Sequence, residues 1–532
     1  MSEMLVLGAE ALGAGAIDAG ITAAYGYPGT PSTEIMEFLQ EHADDGGFLA
    51  SWCTNEKTSY EGAVGVSYAG RRVLVSMKHV GLNVAADAFI NSALLKINGG
   101  LVLAVADDPG MHSSQNEQDS RFYADFAGII CFEPRNHQEI YEMTLEAFNL
   151  SEKFHIPVMV KLVTRLSHSR AVVKRGKQEK QKPVNKPKNS DEWMTLPALS
   201  RKSWKKLLAD QEKYEECSER SPFNVLEINS DFTEYGIITS GLGTNYYLEN
   251  IEDLSGRPSH LRIGMYPVPD KKIVELSRHV KKVVLIEEGY PFIENQLRSI
   301  LPETIPVSGK MDGMLPRTGE LNPDNVRKAL GLSKKEGISI EVNSLPGRPP
   351  QLCQGCSHRD TYEALSLARS RYKDSIVTSD IGCYALGALP PYKAIETILC
   401  MGASIGMAKG AAEAGCEYVV ATIGDSTFLH SGITSLIDAY TSNTNMTVII
   451  MDNSTTAMTG GQKTILSSPQ IERLVRGVGV PEEHLRVINP LKKHLDENVE
   501  IIRKEMEYRG LSVIISLREC IQTAVKRKKG KK

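Results

Sequence analysis

Two apolar runs that each stop at a polar residue constrain this chain most. In EYVVATIGDS the run ends at Gly424 and Asp425; in TVIIMDNS the next run ends at Asn453, 28 residues after Asp425. Continuous apolar runs of this length, set between helical patterns, are strands of a parallel sheet covered on both faces. Ligands of such sheets bind beyond the carboxyl ends of the strands. Asp425 and Asn453 therefore face one site if their strands are neighbours. A carboxylate, an amide oxygen and a nearby main-chain carbonyl form a hard oxygen set suited to Mg²⁺, which shares its shell with phosphate oxygens. Gly424 would let the backbone approach such a ligand closely. The pattern predicts a magnesium–diphosphate site.

The same alternation organises the rest of the chain. Residues 1–169 read as one α/β unit, with a small-residue helix over 9–24, a helix capped by Ser32 or Thr33 that runs to Glu41, and the strands RRVLVSM, LVLAVAD and IPVMVKL. The polar, Lys- and Pro-rich segment 170–220 reads as a linker with one short helix near Trp204. A second α/β unit follows over 221–340 and a third over 341–525, with a basic tail at 526–532. The first and third units are alike in size and style, which suits a pseudo-symmetric pair. The fold class is α/β, with several doubly wound parallel-sheet domains.

A chain of 532 residues holds about three or four domains. Its formal charge of −4 and 41% hydrophobic content exclude a disordered chain and give no sign of a nucleic-acid partner. The basic runs at 174–188 and 526–532 read as a solvated linker and a solvated tail. No apolar run approaches the roughly 20 residues that span a bilayer. Glu3 stands where a secretory signal wants a cation, so a cytoplasmic enzyme is expected. The nine cysteines are then thiols or metal ligands rather than a disulfide scaffold.

GDS at 424–426 and DNST at 452–455 together resemble the thiamine diphosphate motif. By that resemblance Asp425 and Asn453 supply side-chain ligands to Mg²⁺, Thr455 offers its carbonyl, and Gly424 and Ser426 line the coenzyme. Enzymes of this class activate the coenzyme with a glutamate from a separate pyrimidine-binding domain. NEKTSYEGAVGVSYAGRR has the expected form, an acid at a strand end followed by a small-residue helix, and makes Glu56 the catalytic glutamate. Glu61 is the weaker candidate. The ordinary alternative for Glu56 is a carboxylate favoured by a helix N-terminus.

Longer stretches resemble one family. GYPGTPSTEIMEFL, SMKHVGLNVAADAFINSA, PGMHSSQNEQDSRFYADFA, CQGCSHRDTY, SDIGCYALGALPP and DNSTTAMTGGQ look like the large (alpha) subunit of indolepyruvate ferredoxin oxidoreductase, and the likeness runs over nearly the whole chain. It implies pyrimidine- and diphosphate-binding domains of the thiamine diphosphate type at 1–169 and 341–525, with a transketolase-C-terminal-like α/β domain at 221–340. It also implies oxidative decarboxylation of an aryl pyruvate to an aryl-acetyl-CoA and CO₂, with electrons passed to ferredoxin. A smaller beta subunit and a dimer of large subunits are the expected partners. The family's usual cysteine-rich ferredoxin-like tail is not found before KRKKGKK, so a partner or another acceptor is expected to take the electrons. Related enzymes hold a 4Fe–4S cluster on a CxxC, a GC and a late cysteine, which places it here on Cys353, Cys356, Cys383 and Cys520. Zinc or unligated thiols are the alternatives. Further candidates are Thr30, Gly382, Gly402 and Ser404 at the coenzyme, Lys78, His79 and Asn83 at the substrate carboxylate, and His358 and Arg359 beside the CxxC. The competing functions are a non-oxidative thiamine decarboxylase or carboligase, and a non-catalytic assembly subunit.

Overall fold

The strands Val73–Lys78, Leu101–Asp107 and Val158–Val163 are buried at every residue, as parallel strands covered on both faces must be. The computed structural model that shows this describes residues 2–337 and 350–529. It divides into two compact units, Met1–Ile338 and Ser339–Lys532.

In the first unit those strands belong to a seven-stranded sheet. Its order is Met265–Tyr266, Cys131–Phe132, Val158–Val163, Leu101–Asp107, Val73–Lys78, Ala23–Gly26, Leu49–Trp52. Only Met265–Tyr266 pairs antiparallel. A five-stranded sheet in the same unit places Gly236–Ser240 between Val283–Ile286 and His260–Ile263, all parallel. The chain leaves His260–Ile263 and enters the first sheet two residues later, so the two sheets share one continuous segment.

Arg121 ties this junction together from the inside. Its guanidinium is fully buried and bonds Asp119, Glu287 at 3.0 Å, Tyr266 Oη at 3.2 Å and the Glu288 carbonyl at 2.9 Å. Burial raises Asp119, but the Arg121 and Lys161 charges outweigh it and hold the carboxyl well below its ordinary range. Burial pushes Glu287 up to about 7 despite Arg121. Arg121→Met leaves Glu287 without its cation and Asp119 with Lys161 alone, at 3.9 Å, and is expected to lower stability by about 3–5 kcal/mol. A denaturation midpoint unchanged from the parent would contradict that expectation.

Two elements depart from the sequence reading. The chain opens with a strand, Ser2–Leu7, which pairs antiparallel with Arg170–Arg175, so the helix expected over 9–24 is Gly8–Asp18. The expected linker contributes that second strand and then a helix of 23 residues, Pro197–Glu219, in place of one short helix. The pairing joins residues too far apart for local pattern to reveal. The long helix buries only Leu207, Asp210, Tyr214 and Ser218, a sparse stripe that two polar members hide. The helix expected to end at Glu41 runs from Thr33 to Gly46 and stops at Gly47, whose φ of 64° suits a left-handed cap. Ser32 sits at its N-cap, but its hydroxyl donates back to the Gly29 carbonyl.

The second unit is built on a six-stranded, all-parallel sheet, with a small antiparallel ribbon of Thr455–Thr456 and Gln462–Lys463. The order of the larger sheet is Thr397–Ile398, Ile376–Ser379, Val419–Gly424, Met446–Asp452, Leu511–Leu517, Leu485–Ile488. Helix Ile521–Lys529 takes up the start of the basic tail. Residues 530–532 and the expected boundary at 340/341 lie outside the described residues. Among the described residues no helix is long and apolar enough to cross a membrane.

Candidate functional site

Val419–Gly424 and Met446–Asp452 are immediate neighbours, with Gly424 opposite Met451. Asp425 and Asn453 therefore emerge at the carboxyl ends of adjacent strands. Ile376–Ser379, on the other side of the Gly424 strand, ends in Asp380. Three adjacent strands thus each deliver an aspartate: Asp380, Asp425 and Asp452. Only Asp425 was singled out from the sequence, although TSD, IGD and IMD repeat one signal.

The three acids have different partners. Asp380 accepts from Tyr384 Oη and, at 2.7 Å, from Ser404 Oγ; burial raises it to about 6 against those bonds. Asp425 is 3% exposed and accepts the Ser426 N–H on Oδ1 at 2.7 Å, with the Asp452 carboxyl beside it; its Oδ2 meets no hydrogen-bond donor. Asp452 is equally buried, and its Oδ2 also lacks a partner. Burial first, and the Asp452 charge second, push Asp425 up to about 8. Two buried carboxylates with open oxygens are what a divalent cation satisfies, so the residues present fit Mg²⁺. Asn453 Oδ1 accepts from the Thr455 N–H at 2.9 Å and keeps its second lone pair. Thr455 Oγ1 is bound to Thr523, and Ser426 Oγ to Thr456.

The glycines have a packing reason that the sequence did not reveal. A methyl group at Gly382 or Gly424 would lie 2.3 or 2.6 Å from the Tyr384 ring. Tyr384, rather than a ligand, fills the space that these two residues leave. Gly402 adopts a φ of 85° at the N-cap of Ala403–Glu413, against Ser431, and Ser404 turns its hydroxyl to Asp380.

Cys353, Cys356, Cys383 and Cys520 line one cavity of about 160 Å³, together with His358 and Asn453. Cys383 opens a short 3-10 helix after its strand. Burial, and after it the other three sulfurs, push its thiol up to about 12. Among the described residues no three His, Cys, Asp or Glu side chains are set to hold a single metal ion. A cluster binds each thiolate through a different iron, so its four ligands stand further apart than those of one ion. Four thiols around one cavity match the ligand number of such a cluster. The Cys520 N–H donates to the Asn453 carbonyl at 3.0 Å, which ties the cavity to the cation end. His358 is buried and near 4, held neutral by desolvation; its Nε2 lies 3.4 Å from Asn453 Nδ2. Arg359 points away, to Tyr392 Oη.

The remaining candidates lie in the first unit. Glu56 opens helix Glu56–Tyr68 behind the N-cap Asn55 and is buried. Glu61, one turn on, is exposed and paired with Lys57. Of the two acids, Glu56 is the buried one. Lys78 is buried at its strand end, donates to the Ser113 carbonyl at 2.7 Å, and is lowered by desolvation to about 8, with Asp108 opposing. His79 beside it is 1% exposed with neither ring nitrogen hydrogen-bonded. Burial, and then the Lys78 charge, lower its pKa. The carbonyl of Thr30 accepts from Ser113 Oγ at 3.5 Å, so Thr30 and Lys78 meet at one residue. Asn83 stands apart, exposed and accepting from Tyr123 Oη.

The fold and this acidic strand-end site define a thiamine diphosphate-dependent enzyme, and comparisons with known proteins agree. Residues 14–219 match the family described as pyruvate flavodoxin/ferredoxin oxidoreductase, thiamine diphosphate-binding, and residues 380–516 match the thiamine pyrophosphate enzyme C-terminal TPP-binding domain. The indolepyruvate oxidoreductase subunit IorA of Archaeoglobus fulgidus is 38% identical over 99% of this chain and 88% of its own length. The IorA of Methanothermobacter marburgensis is 37% identical over 97% and 87%. The chain belongs to the indolepyruvate oxidoreductase IorA family, and it is an oxidoreductase of the 2-oxoacid class. A 2-oxoglutarate:ferredoxin oxidoreductase from Magnetococcus marinus shares the fold, with a TM-score of 0.50 and 18% identity over 62% of this chain and 65% of that one.

Proposed function

We propose that the chain is the coenzyme-binding subunit of an enzyme that converts an aryl pyruvate of the indolepyruvate kind and coenzyme A to an aryl-acetyl-CoA and CO₂. Two electrons pass to ferredoxin or another low-potential acceptor, and a smaller beta subunit completes the enzyme. Residues 341–525 hold the diphosphate through Mg²⁺ on Asp425, Asn453 and the Thr455 carbonyl, and residues 1–169 supply Glu56. Thiamine diphosphate, when bound, supplies the nucleophilic carbon and electron sink that decarboxylation needs. Glu56 holds the proton shared with the pyrimidine ring, and its burial keeps water from competing for it. Cys353, Cys356, Cys383 and Cys520 would hold a 4Fe–4S cluster, a one-electron carrier. The observation that carries the reading is the pair of open carboxylate oxygens on Asp425 and Asp452, in the same unit as the four-cysteine cavity.

The test uses the chain purified anoxically with its beta subunit. About four iron and four sulfide per chain, and CoA-dependent reduction of a low-potential dye with indolepyruvate, support the proposal. Aldehyde formed without acceptor or CoA by iron-free protein overturns it in favour of the non-oxidative alternative.

By this reading Lys78 and His79 face the substrate carboxylate. The ammonium is charged below about 8 and neutral above it, with Asp108 the acid that faces it. The KM for the 2-oxoacid is therefore expected to rise about tenfold per pH unit once the lysine has titrated, while kcat changes less. Lys78→Met should show a high KM that is flat with pH. A parent KM that stays flat up to pH 10 would remove Lys78 from the site.

A further inference from the structure

Gly81 is the third residue of helix His79–Ser92, which follows the Lys78 strand end. Its backbone is helical, with no positive φ to require glycine. Glycine in a helix is less favourable than alanine, so a reason must come from what surrounds it. A methyl group there would lie 2.5 Å from Glu56 Oε1, 2.7 Å from Glu56 Cγ and 2.8 Å from Glu56 Cδ. The three nearest atoms thus all belong to one side chain, the acid at the head of helix Glu56–Tyr68. No backbone atom stands among them. The methyl would therefore press on the Glu56 side chain from Cγ outward.

We infer that Gly81 is a positioning residue for Glu56: the side chain it lacks is the space in which the carboxylate stands. The inference rests on the reading of Glu56 as the acid that activates the coenzyme. It follows from a contact between two helices and was not visible in the sequence, where Gly81 is one small residue among many in SMKHVGLNVAADAF.

The test compares Gly81→Ala, Glu56→Gln and the double variant with the parent, each as the full enzyme loaded with Mg²⁺ and thiamine diphosphate. Three quantities are measured: the melting temperature, the coenzyme affinity by fluorescence quenching, and deuterium exchange at C2 of the bound coenzyme. Gly81→Ala is expected to melt at or above the parent and to bind coenzyme within about threefold, while its C2 exchange slows by about tenfold or more. A residue with a merely structural role would move the melting temperature instead. Because Gly81 acts through Glu56, the double variant should exchange no more slowly than Glu56→Gln alone. Exchange in Gly81→Ala within about threefold of the parent, or losses that multiply in the double variant, would overturn the inference. Unslowed exchange in Glu56→Gln overturns the reading of Glu56 itself, whatever Gly81→Ala does. If Gly81→Ala does not fold, recovery of folded protein by adding Glu56→Asp, whose shorter acid withdraws from the methyl, upholds the inference, and no recovery overturns it.

Discussion

The Glu56→Gln enzyme is expected to fold and load its coenzyme as the parent does, yet to turn over about a thousandfold more slowly. The amide keeps the size of the carboxylate, so helix Glu56–Tyr68 retains its N-cap bond from Thr58 N–H to Asn55 and its packing. What is lost is the ability to carry a proton. The fall should appear in kcat and in kcat/KM alike, because an interaction made only in the transition state has gone. A variant that keeps a tenth or more of parental turnover, by the dye assay with 2-oxoacid and CoA, would remove Glu56 from the chemistry. The exposed Glu61 serves as the control: Glu61→Gln breaks only its pair with Lys57, a surface contact of little energetic weight.

The second large effect changes sign with loading. In protein without metal, Asp425 and Asp452 are two buried acids that disfavour one another, and Asp425 is raised to about 8. An acid raised in the folded state binds its proton more tightly there than in the unfolded chain. Stability is therefore lost as pH rises from the ordinary aspartate range toward about 8, and is greatest in acid. Asp425→Asn removes one charge and offers an amide N–H to Asp452. The metal-free variant should gain about 1–3 kcal/mol near pH 8 and lose most of that pH slope. With Mg²⁺ and thiamine diphosphate the order reverses, because the parent gains its binding free energy and the variant, short of a charged ligand, gains little. Melting curves of both proteins, with and without the loaded pair, measure this. A variant that gains as much on loading as the parent would show that Asp425 is not a metal ligand.

The parts of this structure that could be read in advance were those with a local signature. The buried strands at Val73, Leu101, Val158, Val419 and Met446 are predominantly apolar runs, and parallel pairing follows from burial on both faces. Asp425 and Asp452 both end such a run, and Asn453 is legible as the residue one step beyond. Gly382 and Gly424 looked like places for a ligand, but Tyr384 takes the space, and no sequence spacing says where a ring will lie. Cysteine spacing alone did not join Cys353 and Cys356 to Cys383 and Cys520. Family resemblance suggested the group, and the shared cavity now brings the four together. The long helix at Pro197 and the strand at Arg170 were missed for opposite reasons: the helix has too few apolar residues, and the strand depends on a remote partner.

That remote partner carries a consequence for how the chain comes into being. Ser2–Leu7 leaves the ribosome long before Arg170–Arg175, with roughly ten to thirty seconds of synthesis between them. During that interval its backbone donors and acceptors have water as their only company. Glu3 and the small Ser2 at its outer end make it a poor template for neighbouring nascent chains, which matters most while the edge is open. The ribbon can close only after the six strands of that sheet between Ala23 and Val163 have been made, with Met265–Tyr266 still to come. Its formation is thus a seal on the first half of that unit, so agents that slow elongation would prolong exposure of this one strand.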